Sequence, residues 1–239
     1  MSKNMVFTSA GDNTEFIKWW CTDKEKQQYD IYVFYYGKNE ENFKLYESHV
    51  TYIESSEGSK FQNFYKFWTK YPEIINNYGR FFILDDDIEI TCEDINEMFK
   101  LSKEYNLEIC APSFSKDSQI NHILTRHKDN VILSYTNFVE VNTPLFSRSA
   151  LDNLMKFYDP ILIGWGIDIL YIWANGLDKT KSYAIIHKIQ CKNPYDNYKR
   201  VKTRELMLIK DAEIREIIWI DYAKKIGCPS IFILKDVEL

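Results

Sequence analysis

Long apolar runs are missing from this chain: no stretch of its 239 residues approaches 18 uninterrupted apolar positions, so no membrane-spanning helix is expected. Residues 1–10 run straight into Met5-Val6-Phe7, without the basic n-region and long apolar h-region of a secretory leader. Cysteine is sparse and unpatterned. Cys21, Cys92, Cys110, Cys191 and Cys228 are odd in number, widely spaced and free of any CxxC pair, which argues against a disulfide framework and points to a reducing compartment. A soluble, cytoplasmic protein is the expectation. Positive charge is also short: 30 Lys and Arg stand against 35 Asp and Glu, and the net charge of -5 leaves no basic footprint for nucleic acid. There is no internal repeat or low-complexity stretch. The phosphate-binding GxxxxGK[ST] loop is absent too, since Gly58-Ser59-Lys60 lacks the first glycine and the hydroxyl after the lysine.

What is present fits one substantial α/β domain with a single core. Apolar residues make up 45% and charged residues 27%, both ordinary for a globular chain. Aromatics are abundant, with 17 Tyr, 15 Phe and 6 Trp. Most belong to a bulky core, but such rings also stack on nucleobases and on the apolar faces of sugars.

Strand and helix patterns alternate over the first half, the signature of a mostly parallel sheet with helices on both faces. Met5–Ser9 reads as a strand leading into a turn and a helix from about Thr14; Asp30–Tyr36 is a second strand and Thr51–Glu54 a short third. Lys60–Tyr71 carries Phe61, Phe64, Tyr65 and Trp68 at helical spacing, and Pro72 closes it. The buried strand Arg80–Leu84, a helix over Glu93–Tyr105 and a strand over Leu107–Ser113 follow. Lys116–Asn130 is a polar loop. Val131–Tyr135 and Phe138–Val141 are strand-like, Ser149–Phe157 and Asp168–Ala174 helical, and Tyr183–Ile186 a last apolar strand ending in His187. A long helix is expected from Thr203 to Ile226 with Gly227 as its stop, then an edge strand or docking tail over Ser230–Leu234.

The most informative feature is Asp85-Asp86-Asp87, directly behind the apolar run Arg80–Leu84. The carboxyl end of a buried strand in an open α/β sheet is where ligands bind. Three adjacent carboxylates repel one another, and a hard divalent cation such as Mg²⁺ or Mn²⁺, holding a substrate diphosphate, relieves that repulsion. The bland alternative is a solvated acidic turn. Thr91, Glu93 and Asp94 already supply the start signal of the next helix, which leaves the triplet available. A dehalogenase-type phosphatase loop fits poorly, because Glu89 stands where that motif needs Thr or Val. A sugar-nucleotide transferase needs a cation between an acidic motif and a diphosphate, preceded by a base-binding β/α half, and that order is present.

Six segments then carry a family resemblance: RFFILDDDIEI (80–90), LEICAPSF (107–114), His122 with Thr125-Arg126, FVEVNTPLFSRSAL (138–151), GWGIDIL (164–170) and AIIHK (184–188). Residues from about Tyr78 to Pro194 resemble an uncharacterised family known from plants and bacteria. The whole chain looks like a GT-A glycosyltransferase, including viral ones that decorate capsid proteins, for which the location would be the host cytoplasm. The resemblance implies an α/β, GT-A-like (Rossmann-like) single domain over 1–200, with a central mostly parallel mixed sheet flanked by helices. Residues 1–87 form its nucleotide-binding half, 88–200 its acceptor half, and 201–239 a C-terminal helical extension. It implies transfer of a sugar from a nucleoside-diphosphate sugar, UDP-linked by preference, to a glycan or protein-linked hydroxyl, with Mn²⁺ or Mg²⁺ as the cofactor. The alternatives are a nucleotide-sugar-binding module without transfer and a metal-dependent phosphoesterase.

The resemblance also implies roles. Asp85 and Asp87 are metal ligands, Asp86 faces the ribose or a metal-bound water, and His187 is a late metal ligand. Asp168 is the base that takes a proton from the acceptor if the reaction inverts configuration, or else caps its helix. An acidic residue usually precedes that aspartate, and here Ile167 stands in its place. Trp165 stacks on the acceptor ring, and Gly164 and Gly166 allow close backbone approach. From their places at strand ends, Thr8, Ser9 and Ala10 are expected to meet the base and ribose and Tyr36 to stack on the base; Lys60, at a helix start, is expected to bind the diphosphate or else to be a solvated charge, Arg126 to bind phosphate or sugar, and Glu140 to bond the donor or acceptor sugar.

Overall fold

Side chains alternate between the two faces of a strand, so a strand that is apolar at every position must be covered on both. In β1 (Lys3–Ala10), Met5 and Phe7 enter one apolar cluster while Val6 and Ala10 enter another. In β4 (Tyr78–Ile83), Phe81 and Ile83 enter the first while Phe82 enters the second. The computed structural model describes residues 2–14, 16–179, 181–194, 206 and 209–236. Besides β1 and β4 its strands are β2 (Asp30–Tyr35), β3 (Tyr52–Ser55), β5 (Ile109–Phe114), β6 (Leu133–Tyr135), β7 (Leu145–Ser147) and β8 (Tyr183–Cys191). They form one sheet in the order β3-β2-β1-β4-β7-β5-β8-β6. Only β7 and β6 run against the others.

Helices cover both faces. On one side α1 (Phe16–Trp20), α2 (Glu40–Glu47) and α5 (Cys92–Glu104) supply Phe16, Trp20, Tyr46, Ile95 and Phe99. On the other lie α3 (Lys60–Lys70), α4 (Pro72–Ile75), α6 (Arg148–Met155), α7 (Ile167–Asn175) and α8 (Ala212–Ile226). Phe61, Phe64, Leu151, Leu154, Leu170 and Trp219 pack there. Local caps set several of these helices. Asn39 accepts hydrogen bonds from the N–H groups of Glu41 and Asn42 at the start of α2, and Thr91 from that of Asp94 at the start of α5. Because Thr91 caps α5, the aspartate triplet is not needed for that purpose. Among the described residues no helix is long and apolar enough to cross a membrane.

The elements depart from the sequence reading in three places. Pro72 opens the short α4 instead of only closing α3, as suits a proline at a first helical position. Phe138–Val141 is not a strand. The Val141 and Asn142 carbonyls accept bonds from the Lys60 ammonium, and Asn142 also from the Asp85 N–H, so the strand forms later, as β7. The α2 helix, absent from the sequence reading, rests on its Asn39 cap. The tail takes the docking alternative of that reading: Asn137 and Lys235 exchange bonds, and Thr136 bridges to Asp236. Of the expected C-terminal helix, Ala212–Ile226 forms and Gly227 stops it at φ +74°, while 203–205, 207 and 208 lie outside the described residues.

Candidate active site

The sheet reverses its winding at β1. From there β2 and β3 extend one way, while β4 returns on the other side, which makes the carboxyl ends of β1 and β4 the topological switch point where open α/β sheets bind ligands. Asp85, Asp86 and Asp87 emerge there, each half-buried. Asp86 Oδ2 accepts from the Gly11 N–H at 3.0 Å, and the Asp86 carbonyl accepts from the Thr14 hydroxyl at 2.5 Å, so the middle aspartate ties the β4 end to the turn after β1. Tyr36, at the end of β2, lies against Gly11. A Cβ at Gly11 would stand 2.7 Å from the tyrosine ring, so glycine permits that contact. Thr8, Ser9 and Ala10 are buried and in register with Val33, Phe34 and Tyr35; the Ala10 carbonyl accepts from the Tyr36 N–H and Ser9 Oγ bonds Asn63 at 3.0 Å. They form the floor of the crevice.

Lys60 has a different setting from the one expected. Its ammonium donates to the carbonyls of Ile83 at 3.1 Å, Val141 at 2.8 Å and Asn142 at 3.1 Å, and pairs with Asp85 Oδ1 at 2.8 Å. An ammonium has three N–H groups, and these contacts occupy them. Burial pulls its pKa down, and Asp85 beside it opposes that shift. Lys60 therefore fixes the position of Asp85 and of the 141–142 segment and has no N–H left to bind a diphosphate.

Two further carboxyls, Glu140 and Asp168, come from the other half of the chain, and the charges of Asp168 and Asp85 both act on Glu140. Glu140 is only 3% exposed. Its Oε1 accepts from Asn121 at 2.6 Å and Asn142 at 3.1 Å, whereas Oε2 has no partner among the described residues. Burial, with the charges of Asp168 and Asp85 adding to it, pushes the Glu140 carboxyl up to about 7. Asp168 sits in the first turn of α7, with Oδ1 bonded to the Ile169 N–H at 3.0 Å, and burial pushes it up to about 6. Gly166, at φ +72°, takes the N-cap position that the bland reading assigned to Asp168. Trp165 is 40% exposed beside it.

These raised carboxyls have a consequence for stability. Between the ordinary glutamate value and about 7, the folded chain keeps the Glu140 proton that the unfolded chain has released. Folded stability therefore falls as pH rises through that window, by on the order of 3 kcal/mol for Glu140. Thermal melts should show Glu140→Gln gaining on the wild type between about pH 5 and pH 8. Parallel curves would mean that Glu140 ionises normally.

The remaining expected residues lie elsewhere. His187 is buried in β8, where Nδ1 accepts from the Lys128 N–H at 3.3 Å, Nε2 bonds Ser134 Oγ at 3.1 Å and the ring stands 6.2 Å from that of His127. Burial first, then the charges of Lys128 and His127, pulls its pKa down to about 4. Two strands separate β8 from β4, three spacings of about 4.8 Å. Among the described residues no three His, Cys, Asp or Glu side chains gather so that they could hold a metal, so the expected set Asp85, Asp87 and His187 is not assembled. Arg126 is exposed on the loop after β5. Gly166 does allow a close approach, but by Trp219 of α8: a Cβ there would lie 2.1 Å from the indole. Gly164, at φ +74°, lies near Arg215, whose guanidinium donates to the Ile163 carbonyl at 3.4 Å. Sequence reasoning missed Trp219, Asn121, Asn142 and Gly11. Of these only Asn142 left a signal, inside the segment 138–151.

Comparison with known proteins follows from this geometry. Residues 2–135 match the model of a family described as a protein of unknown function, DUF707. No curated protein matches the sequence. Among solved structures the chain is similar to S. aureus TarS 1–349 in complex with UDP-GlcNAc, with a TM-score of 0.61 at 10% identity over 94% of this chain and 66% of that one. It is similar to GalNAc-T7 with UDP, GalNAc and Mn²⁺, with a TM-score of 0.58 at 11% identity over 94% and 48%. For S. aureus TarS itself the TM-score is 0.54 at 10% identity, over 93% of this chain and 43% of that one, so the chain spans under half of TarS. The fold is accordingly GT-A-like: one mixed α/β domain with a mostly parallel central sheet between helices.

Proposed function

The chain belongs to the DUF707 family, which is described as of unknown function; from its GT-A-like fold and the site's geometry we propose that it is a metal-dependent glycosyltransferase. It moves a sugar from a nucleoside-diphosphate sugar, UDP-linked by preference, to a hydroxyl of a glycan or protein-linked acceptor. One observation carries this reading: the half-buried Asp85, Asp86 and Asp87 leave the β1/β4 switch point beside the buried Glu140, whose carboxyl the charges of Asp168 and Asp85 help to push up. Residues 1–87 serve the nucleotide and 88–200 the acceptor, with the C-terminal segment packed behind.

The nucleotide lies across the crevice, its base against Tyr36 and its ribose near Asp86. The donor set suits a hard cation that keeps substrate oxygens in its shell, since Mg²⁺ is commonly held by one or two carboxylates plus phosphates and not by a full protein cage. Asp87 and Asp85 would hold such an ion, Mg²⁺ or Mn²⁺, which neutralises charge on the departing diphosphate; His187 would not. Arg126, exposed on the loop after β5, supplies the positive charge that Lys60 does not. The acceptor ring rests on Trp165. Its hydroxyl oxygen attacks the anomeric carbon, the bond from that carbon to the diphosphate breaks, and Asp168 takes the hydroxyl proton.

Thermal shift tests the reading. A UDP-sugar with Mn²⁺, at about 100 times its Kd, should raise the Tm by about 5 °C or more. Asp87→Ala should remove that gain while leaving the ligand-free Tm nearly unchanged. No shift with any nucleoside diphosphate would sink the proposal. A shift without turnover on acceptors would favour the binding module, and phosphate release from simple esters the phosphoesterase.

A further inference from the structure

A helix that is apolar on one face is satisfied by the domain it packs on, whereas one that is apolar on opposite faces needs a cover on each. The α8 helix is of the second kind. Trp219, Tyr222 and Ala223 are buried against the domain. Ile214, Ile217 and Ile220 follow at three-residue steps on the opposite face and are 45%, 58% and 45% exposed. Nothing local asks for isoleucine there, since Glu, Lys or Ala serves a solvated helix position better. A contiguous exposed apolar stripe marks a surface that meets another protein.

The charges at the two ends of the stripe identify that protein. Glu213, Ile217, Ile220 and Lys224 recur at steps of four, three and four residues, so they form one seam along the helix, acidic at its N-terminal end and basic at its C-terminal end. Both charged residues are exposed, and neither forms an ion pair among the described residues. Turned end for end, such a seam is complementary to itself. Two copies laid antiparallel, about a two-fold axis midway between Ile217 and Ile220, bring Ile217 of each against Ile220 of the other and Glu213 against Lys224 at both ends. A parallel arrangement would instead set Glu213 against Glu213 and Lys224 against Lys224, and like charges so placed repel.

We propose that the outer face of α8 is a homodimer contact, covered by the same face of a second copy in this antiparallel register. The pairing depends on no assumption about the reaction. Fifteen residues make a helix about 22 Å long, and one face of it falls short of the roughly 800 Å² that each partner gives to a standard interface, so association in the micromolar range is expected. The inner face of the same helix meets Gly166 through Trp219, so the dimer would brace the loop that carries Trp165 and Asp168.

Sedimentation equilibrium of the full chain, from micromolar to millimolar concentration, tests this. The wild type should pass from one chain mass to two over that range. Ile217→Asp should weaken association by about 10²-fold or more, because it sets two unpaired charges at the centre of the contact. Glu213→Lys alone and Lys224→Glu alone should each weaken it by about tenfold, whereas an equimolar mixture of those two variants, or one chain carrying both changes, should associate within about threefold of the wild type. All these side chains are exposed, so circular dichroism and the Tm in dilute solution should match the wild type and show that every variant is folded. A wild type that stays monomeric throughout overturns the proposal, as does a dimer that Glu213→Lys and Ile217→Asp leave intact. Single swaps that weaken the dimer without rescue in the mixture overturn the antiparallel register, and the proposal with it.

Discussion

Asp168→Asn should lower transfer by about 10²- to 10⁴-fold while UDP still binds. The carboxyl lies in the first turn of α7, one oxygen held by the Ile169 N–H, and burial brings its pKa to about 6. Near neutral pH it is thus mostly ionised yet holds a proton more readily than an ordinary aspartate, as suits a base that must take one from a hydroxyl. Asparagine preserves the shape and the backbone hydrogen bond but cannot accept the proton. It also removes the burden of burying a charge, so the ligand-free Tm should hold or rise, which separates lost chemistry from lost folding. Wild-type turnover should climb as pH rises through about 6, and the variant should lose that limb. Full turnover by Asp168→Asn would leave the carboxyl with a structural role only.

Gly166→Ala should produce a large stability loss. Its backbone, at φ +72°, is a conformation that costs an L side chain about 1 to 2 kcal/mol. The added Cβ would also drive into the Trp219 indole, at 2.1 Å from its nearest atom. Overpacking of this kind costs about 1 to 3 kcal/mol, so a Tm decrease of about 5 to 15 °C is expected. Trp219 is itself buried, its indole N–H donating to the Ser230 carbonyl at 3.0 Å, and Trp219→Ala should cost about 3 to 5 kcal/mol. The two changes should not add, because removing the indole removes the clash, and in the double variant Gly166→Ala should cost only its backbone term. Turnover should drop with each, since Trp165 and Asp168 flank the glycine that Trp219 supports. Strict additivity in a double-mutant cycle of denaturant melts would mean that the loop does not rest on α8.

Much of the fold was legible before the structure. The apolar strand behind the triplet, the helix opened by Thr91, the glycine stop at Gly227 and the alternation of strands and helices are local patterns, written over a few neighbouring residues. The site was legible in part. The triplet's place behind a buried strand could be read, but the tie from Asp86 to the Gly11 N–H and the burial that raises Glu140 and Asp168 could not. Lys60, His187 and Gly166 were misplaced for one shared reason. Each was judged by its place at an element's end, whereas its setting depends on a partner far along the chain: Lys60 on Asp85 and the 141–142 carbonyls, His187 on Lys128 and Ser134, Gly166 on Trp219.

By itself, the sequence determined where carboxylates emerge from a buried strand and which segments alternate around the sheet, since period and cap chemistry act over one or two turns of chain. Only the tertiary structure decided which of those charges are already satisfied. Lys60 spends its three N–H groups on backbone carbonyls and Asp85, while among the described residues Glu140 keeps one oxygen unpaired. Hydrogen-bond valence is a property of what lies within about 3 Å in space, and no spacing along the chain records it.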